Sequence, residues 1–412
     1  MAKLAIRGGT PVRQQPYPSW PVFDEKEKQL LIEVLESGQW GRMSGQMNEL
    51  FEKKFGAFQQ AKYVTTVCNG TVALRIALFA VGVGPGDEVI VPSYTFVATA
   101  TSVIEANAIP VMADIDPNTF NLDPKAVESL ITERTKAIIP VHFGGAPTNM
   151  DEIIEIARKH NLAVIEDAAQ AQGAAWKGKK TGTLGDVGTF SFQLSKNMTS
   201  GEGGALVTNN PEIAERIKRF YNCGRKPGYA WYYHFEISGN YRLSEFQAAV
   251  LLAQLEREEA NIRKRAAMAR YLTKALEAIP GIEPIVYPDH VESSWYLFLM
   301  KYRKEAFNNI SKMNFVKAMN AEGIPIMEGY PFPLYKQPLF QEAKFWKNGC
   351  PFNCSFYGKS PNYKEVHHPQ AEEACEVGLW LPNYVLHGSE SDLDDVVRAI
   401  RKIQNYADEI KE

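Results

Sequence analysis

FSFQLSKNMTSGEGG, residues 190–204, places one lysine, Lys196, between an alternating apolar segment and a glycine-rich turn. Phe190, Phe192 and Leu194 alternate with Ser191, Gln193 and Ser195, the period of a half-buried strand. The glycines that follow let backbone approach something bulky. A lysine held at a strand end in a partly dry setting gives up its proton more readily and becomes an amine nucleophile. It can then form a Schiff base with an aldehyde such as pyridoxal phosphate. Most lysines in loops are solvated charges, so the reading depends on what surrounds this one.

The surroundings are those of an open α/β sheet. Apolar runs predict helices over 72–81, 95–105, 123–131 and 150–160, alternating with strands over 88–91, 110–114, 137–141 and 162–166. Short buried strands between helices argue a mainly parallel sheet covered on both faces. From Glu245 the pattern becomes one long charged helix to about Ile279, suited to joining two domains. The expected division is a large domain over 16–256, a smaller C-terminal α+β domain over 257–412 and an N-terminal arm over 1–15. In the smaller domain we expect a strand over 295–300, a helix over 315–322, a short strand over 324–327 and a last helix over 391–406. The stretch 330–382, rich in Pro, aromatic residues and Cys, reads as a long functional loop.

Bulk properties exclude several classes. A content of 45% hydrophobic and 23% charged residues is that of an ordinary globular protein, and a net charge of -3 makes no electrostatic case for nucleic acid or an anionic membrane. No apolar run is long enough to span a bilayer and the first residues lack a signal-peptide core, so a cytoplasmic location is expected. Five scattered cysteines do not make a disulfide framework. Cys350 and Cys354 have the gap of a zinc-ligand pair. However, His367, His368 and Cys375 supply no matching second pair, and no metal is expected. The run from Gly82 to Gly86 precedes a strand, whereas a dinucleotide-binding loop follows one.

Four places gain meaning if Lys196 carries a phosphorylated aldehyde. Asn69, Gly70 and Thr71 open a helix, where free N–H groups and the positive dipole end favour a phosphate, and Ser191 can add a hydroxyl. Asp167 closes the strand AVIED, where a carboxylate can keep a pyridine nitrogen protonated; Gln170 is placed to reach the ring hydroxyl. Phe96, in PSYTF after the strand EVIV, can stack on a flat ring, although core packing is the commoner fate of an aromatic there. Polar residues of GNYRL, including Asn240, stand just ahead of the long helix.

Taken together, FSFQLSKNMTSGEGG, EDAAQAQG, NGTVALRIAL, GPGDEVIVPSYTF and NYRLSEFQAA resemble the DegT/StrS family of sugar aminotransferases, over about residues 8–381. The resemblance implies a fold-type I enzyme with pyridoxal 5'-phosphate on Lys196, Asp167 at the pyridine nitrogen and Phe96 stacked on the ring. It implies a phosphate held by Gly70, Thr71 and Ser191, and a homodimer with shared active sites in which Asn240 reaches across. ESGQWGRMSG, PVHFGG and CPFNCSFYG are most similar to the scyllo-inosose (cyclitol) aminotransferases and the 3-amino-5-hydroxybenzoate synthases. Many nucleotide-sugar members carry a histidine where YPFPLYKQPLF places Tyr335, a departure that favours a small free polyol ketone. The implied reaction is transamination of a keto-cyclitol or keto-sugar with glutamine or glutamate as donor. A dehydrating, aromatising lyase that keeps the lysine and a cofactor-binding regulatory protein stand as alternatives. Related deoxygenases usually replace the lysine with histidine, and Lys196 argues against that version.

Overall fold

The structure, a computed structural model, describes residues 3–342 and 349–410. Seven strands form the central sheet, in the order Tyr63–Val67, Gly204–Thr208, Val187–Ser191, Ala163–Asp167, Thr135–Ile138, Glu88–Pro92 and Ile109–Ala113. The last five in that order are parallel, and Gly204–Thr208 runs antiparallel to both of its neighbours. The expected mainly parallel α/β sheet is therefore present. Its two strands nearest one edge, Tyr63–Val67 and Gly204–Thr208, are not among the strands that the sequence predicts.

The strand before Lys196 is shorter than its alternation predicts. It ends at Ser191, paired with Gly204, so Lys196 lies in the connection 192–203 between two antiparallel neighbours. Leu194 is 50% exposed, so the apolar alternation stops having a core to face after Phe192.

A three-stranded antiparallel sheet of Ile282–Pro284, Leu297–Tyr302 and Gly378–Pro382 builds the second core with the helices Lys312–Ala321 and Glu390–Asn405. The stretch 324–327 is not a strand; Met327 makes a single bridge to Trp380. Joining the two cores is the 32-residue helix Glu245–Leu276, opened by a capping box of Ser244 and Gln247. Its first half buries Ala248, Leu251 and Leu252 against Phe51, Phe55 and Phe190, while Ala269, Leu272 and Leu276 enter the second core. Residues of the expected N-terminal arm pack on that second core too. Leu4 is fully buried there, Arg13 is paired with Asp392 and Asp395, and the buried carboxylate of Glu322 accepts from the N–H groups of Ala5 and Val12.

The stretch 330–382 departs furthest from its reading as a loop. It contains the helices Pro338–Glu342 and Pro369–Val377 and the strand Gly378–Pro382. Leu334, Tyr335, Phe340, Phe352, Tyr357 and Tyr363 are buried in the core of the large domain, not of the small one. Proline and scattered aromatics hide this in the sequence, because these side chains are buried one at a time against a distant surface and follow no period.

At the middle of the long helix Arg265 is fully buried. It donates to Glu258 at 2.6 Å, to the Ser294 carbonyl at 2.8 Å and to His387 Nε2 at 3.3 Å. Burial, with Arg265 and Lys264 alongside, pushes His387 down from 6.5 to about 3. The folded protein thus binds fewer protons than the unfolded chain between those values. The associated stability is complete above pH 6.5 and is lost as pH falls toward 3. His387→Gln should flatten the decline of melting temperature between about pH 6.5 and 4, measured by thermal denaturation across a pH series. No helix among the described residues is long and apolar enough to cross a membrane.

Candidate active site

Phe190 and Phe192 set the orientation of the strand end. Both pack edge-on against Phe55 of the helix Met47–Gln59, with centroids 5.2 and 5.6 Å away. Because side chains alternate along extended chain, Ser191 turns to the opposite side. There it joins Gly70, Thr71, Phe96, Asp167, Gln170 and Lys196 in the wall of one cavity of about 880 Å³.

The first part of that wall suits an anion. Asn69 caps the helix Gly70–Ala80 by accepting from Val72 N at 2.9 Å, which leaves the N–H groups of Gly70 and Thr71 outside the helix's own bonding. A Cβ on Gly70 would stand 2.8 Å from Ser191 Cβ, so only glycine lets the helix start approach the strand this closely. Gly204 acts from behind: a Cβ there would lie 2.5 Å from the Asn69 carbonyl. Gly70→Ala should leave the fold intact and weaken anion or cofactor binding by about tenfold or more, roughly 1.4 kcal/mol, read by equilibrium titration.

Glu166 and Asp167 are adjacent acids on one strand and meet opposite fates. Glu166 is fully buried and satisfied by protein alone, accepting from His142 Nε2 at 2.9 Å and from the N–H groups of Gly182, Leu184 and Gly185 at 2.7 Å. Thr148 N donates to His142 Nδ1, which assigns the ring proton to Nε2. The carboxylate of Asp167 faces the cavity and, among the described residues, accepts only from Thr99 Oγ1 at 2.9 Å and Ala169 N at 3.3 Å. Burial pushes its carboxyl up, and those two donors together with Lys196 and His142 oppose the shift without cancelling it. A carboxylate has about four acceptor positions, so this one is short of donors on the cavity side. That is the environment a protonated ring nitrogen would complete.

In PSYTF the two aromatics divide the roles. Tyr94 is 1% exposed and packs in the core, whereas Phe96 is 58% exposed and stands in the cavity wall. Gln170 Oε1 accepts from Gly144 N at 2.8 Å, which fixes the amide and leaves Nε2 as its donor. Lys196 Nζ sits 4.4 Å from the centre of the Tyr296 ring.

Two residues singled out in the sequence lie elsewhere. Asn240 is exposed and outside the cavity of its own chain, held beside Asn222 by a single bridge. Tyr335 is 1% exposed and donates to Glu372 at 2.5 Å, away from the cavity. A preference for small polyols therefore cannot be argued from a side chain of Tyr335 in the wall. Among the described residues no group of three or more His, Cys, Asp or Glu side chains is arranged for a metal; His368 Nδ1 instead pairs with Ser93 Oγ at 2.5 Å.

Tertiary structure adds residues that no local pattern singles out, two of them, Tyr330 and Trp380, from the stretch 330–382 read as functional. Trp20, Tyr296, Tyr330, Trp380 and Asn383 complete the wall from both ends of the chain. Only Thr99 had a signal: it follows Thr95 at helical spacing, and Thr95 donates to Thr99 at 3.1 Å while Thr99 donates to Asp167.

An amine, a buried acid short of donors and an anion cradle in one cavity of an α/β fold are matched by what the chain resembles. The putative L-glutamine:3-amino-2,3-dideoxy-scyllo-inosose aminotransferase of Streptoalloteichus tenebrarius is 38% identical over the full length of both chains. The 3-amino-5-hydroxybenzoate synthase of Amycolatopsis mediterranei is 35% identical, covering 92% of this chain and 94% of that one. A crystal structure of a 3-amino-5-hydroxybenzoic acid synthase superposes with a TM-score of 0.86 at 33% identity, over 95% of this chain and 99% of the other. The profile of the DegT/DnrJ/EryC1/StrS aminotransferases matches residues 21–401, and with that span covered the chain belongs to this family and has its fold-type I architecture.

Proposed function

We propose that this aminotransferase uses pyridoxal 5'-phosphate to move an amino group from glutamine or glutamate to a keto-cyclitol or keto-sugar of the scyllo-inosose type. The observation that carries the reading is Asp167, a buried acid with few hydrogen-bond donors that lines the same cavity as Lys196. Gly70, Thr71 and Ser191 would hold the phosphate, Phe96 would cover the ring, Asp167 would accept from its nitrogen and Gln170 Nε2 would donate to its hydroxyl. When bound, the cofactor supplies an aldehyde carbon and an electron sink. Lys196 anchors it and, once displaced, takes the proton from the donor's Cα and later returns one, acting as base and acid in turn.

The acceptor side is aromatic, with Trp20, Tyr330, Trp380 and Tyr384 beside the amides of Asn320 and Asn383. Such walls suit a neutral polyhydroxylated ring, its C–H faces on the aromatics and its hydroxyls on the amides. The names of the scyllo-inosose relatives point the same way. The likeness to 3-amino-5-hydroxybenzoate synthases supports a second reading, an aromatising lyase on the same residues. Incubating the enzyme with glutamine or glutamate and a panel of keto-cyclitols and nucleotide keto-sugars, and separately with an amino-cyclohexenone, separates them. The first reading expects a new cyclitol amine, and ring-aromatic absorbance from an amino-cyclohexenone would replace it with the second.

A homodimer is part of the proposal. Trp231 and Tyr232 are each 73% exposed and Ile237 is 99% exposed, three residues from Asn240. An apolar surface of this kind is usually covered by a partner, and Asn240 of the partner subunit would then reach the phosphate. All five cysteines are free thiols, which suits the reducing conditions of the cytoplasm.

A further inference from the structure

We propose that Tyr296 is a positioning residue for Lys196, its ring face holding the displaced ε-amine between the two halves of the reaction; this rests on the role given to Lys196 above. Lys196 Nζ lies 4.4 Å from the ring centre, within the range of a cation–π contact. The ring is pinned at its edge by the residue before the lysine. Ser195 Oγ donates to Gln193 Oε1 at 2.8 Å, so the Tyr296 hydroxyl donates to Ser195 Oγ at 2.9 Å.

The residue after the lysine is tied to the same segment. Asn197, 1% exposed, donates to the Ser294 carbonyl at 2.9 Å and accepts from Asn383 Nδ2 at 2.9 Å. Ser294 is itself a hub. Its carbonyl also accepts from Arg265 Nε, its N–H donates to Gly145 and its hydroxyl donates to the Gln170 carbonyl. Trp295 then adopts a φ of 55°, a left-handed conformation that a bulky residue keeps only when its surroundings enforce it. That turn aims Tyr296 at the cavity.

Both neighbours of Lys196 are therefore bonded to residues 294–296, and the lysine side chain is the part left to move. A displaced amine would have to find solvation among aromatic walls. The Tyr296 face offers a site for the ammonium form that keeps it near the carbon whose proton it must move.

The test uses protein carrying 13C-labelled lysine and loaded with pyridoxamine phosphate, in which the lysine is unattached. The ε-CH2 signal of Lys196, assigned by its loss in Lys196→Arg, should be shifted upfield by the ring in wild type and in Tyr296→Phe. It should return among the other lysines in Tyr296→Leu. Stopped-flow rates of the glutamine half-reaction should stay near wild type in Tyr296→Phe and fall about tenfold in Tyr296→Leu, with the KM for glutamine unchanged. An unshifted wild-type signal overturns the inference. So does a Tyr296→Leu protein with the wild-type rate, or an equal loss in both variants, which would assign the effect to the hydroxyl. Visible absorption retained in Lys196→Ala would instead remove the role given to Lys196, an outcome distinct from these.

Discussion

Lys196→Ala should abolish the visible absorption of a lysine-bound cofactor and lower turnover by at least about 10²–10⁴-fold, the usual contribution of a positioned acid–base group. The variant removes an attachment point and a proton carrier in one step. It should not unfold the protein. Lys196 lies in a turn after the strand Val187–Ser191, and its side chain faces a cavity, forming no ion pair with a buried partner among the described residues. The backbone there is held independently by Ser195 and Asn197. Absorbance spectra of purified wild type and variant, with chromatographic detection of the aminated product, provide the check. Undiminished turnover in the variant would refute the assignment.

Asp167→Asn separates charge from shape. Thr99 and Ala169 donate to different carboxylate oxygens; the amide oxygen can keep the bond from Ala169 N while the amide NH2 donates to Thr99 Oγ1, so the strand end keeps its shape and the negative charge is lost. If that charge holds a ring nitrogen protonated, kcat falls roughly 10²–10³-fold, the scale of removing one preorganised electrostatic partner. The effect on stability has the opposite sign. Burial raises the carboxyl above its ordinary value, so the folded protein binds this proton more tightly than the unfolded chain. Ionisation then works against folding as pH rises past the unfolded value. Asp167→Asn should accordingly raise the melting temperature of the cofactor-free protein at neutral pH while it removes activity. A variant that is less stable and fully active would contradict both halves. Such an exchange of stability for function is expected where a site keeps an acid short of partners.

Much of this site was legible along the chain because its parts are local devices. A glycine after a capping asparagine, an acid at the end of an apolar strand and a lysine in a glycine-rich connection each need only their immediate neighbours to be recognised. Alternation of strand and helix likewise forces a parallel sheet, since each covered strand must return through a crossover. What remained hidden depends on which distant surface covers a side chain. The strand turns Glu166 and Asp167 to opposite faces, but that Glu166 is satisfied by four donors while Asp167 is left open to the cavity depends on residues from elsewhere in the chain. Tyr335 reads as a site residue until it is seen buried on Glu372, and Leu194 reads as core until the strand stops short of it. Trp20 and Tyr296 come from segments far apart in the chain, and their place beside Lys196 is set by folding alone. Backbone pattern is dictated by residues a few positions apart, whereas burial and charge balance are decided by contacts between residues hundreds of positions apart.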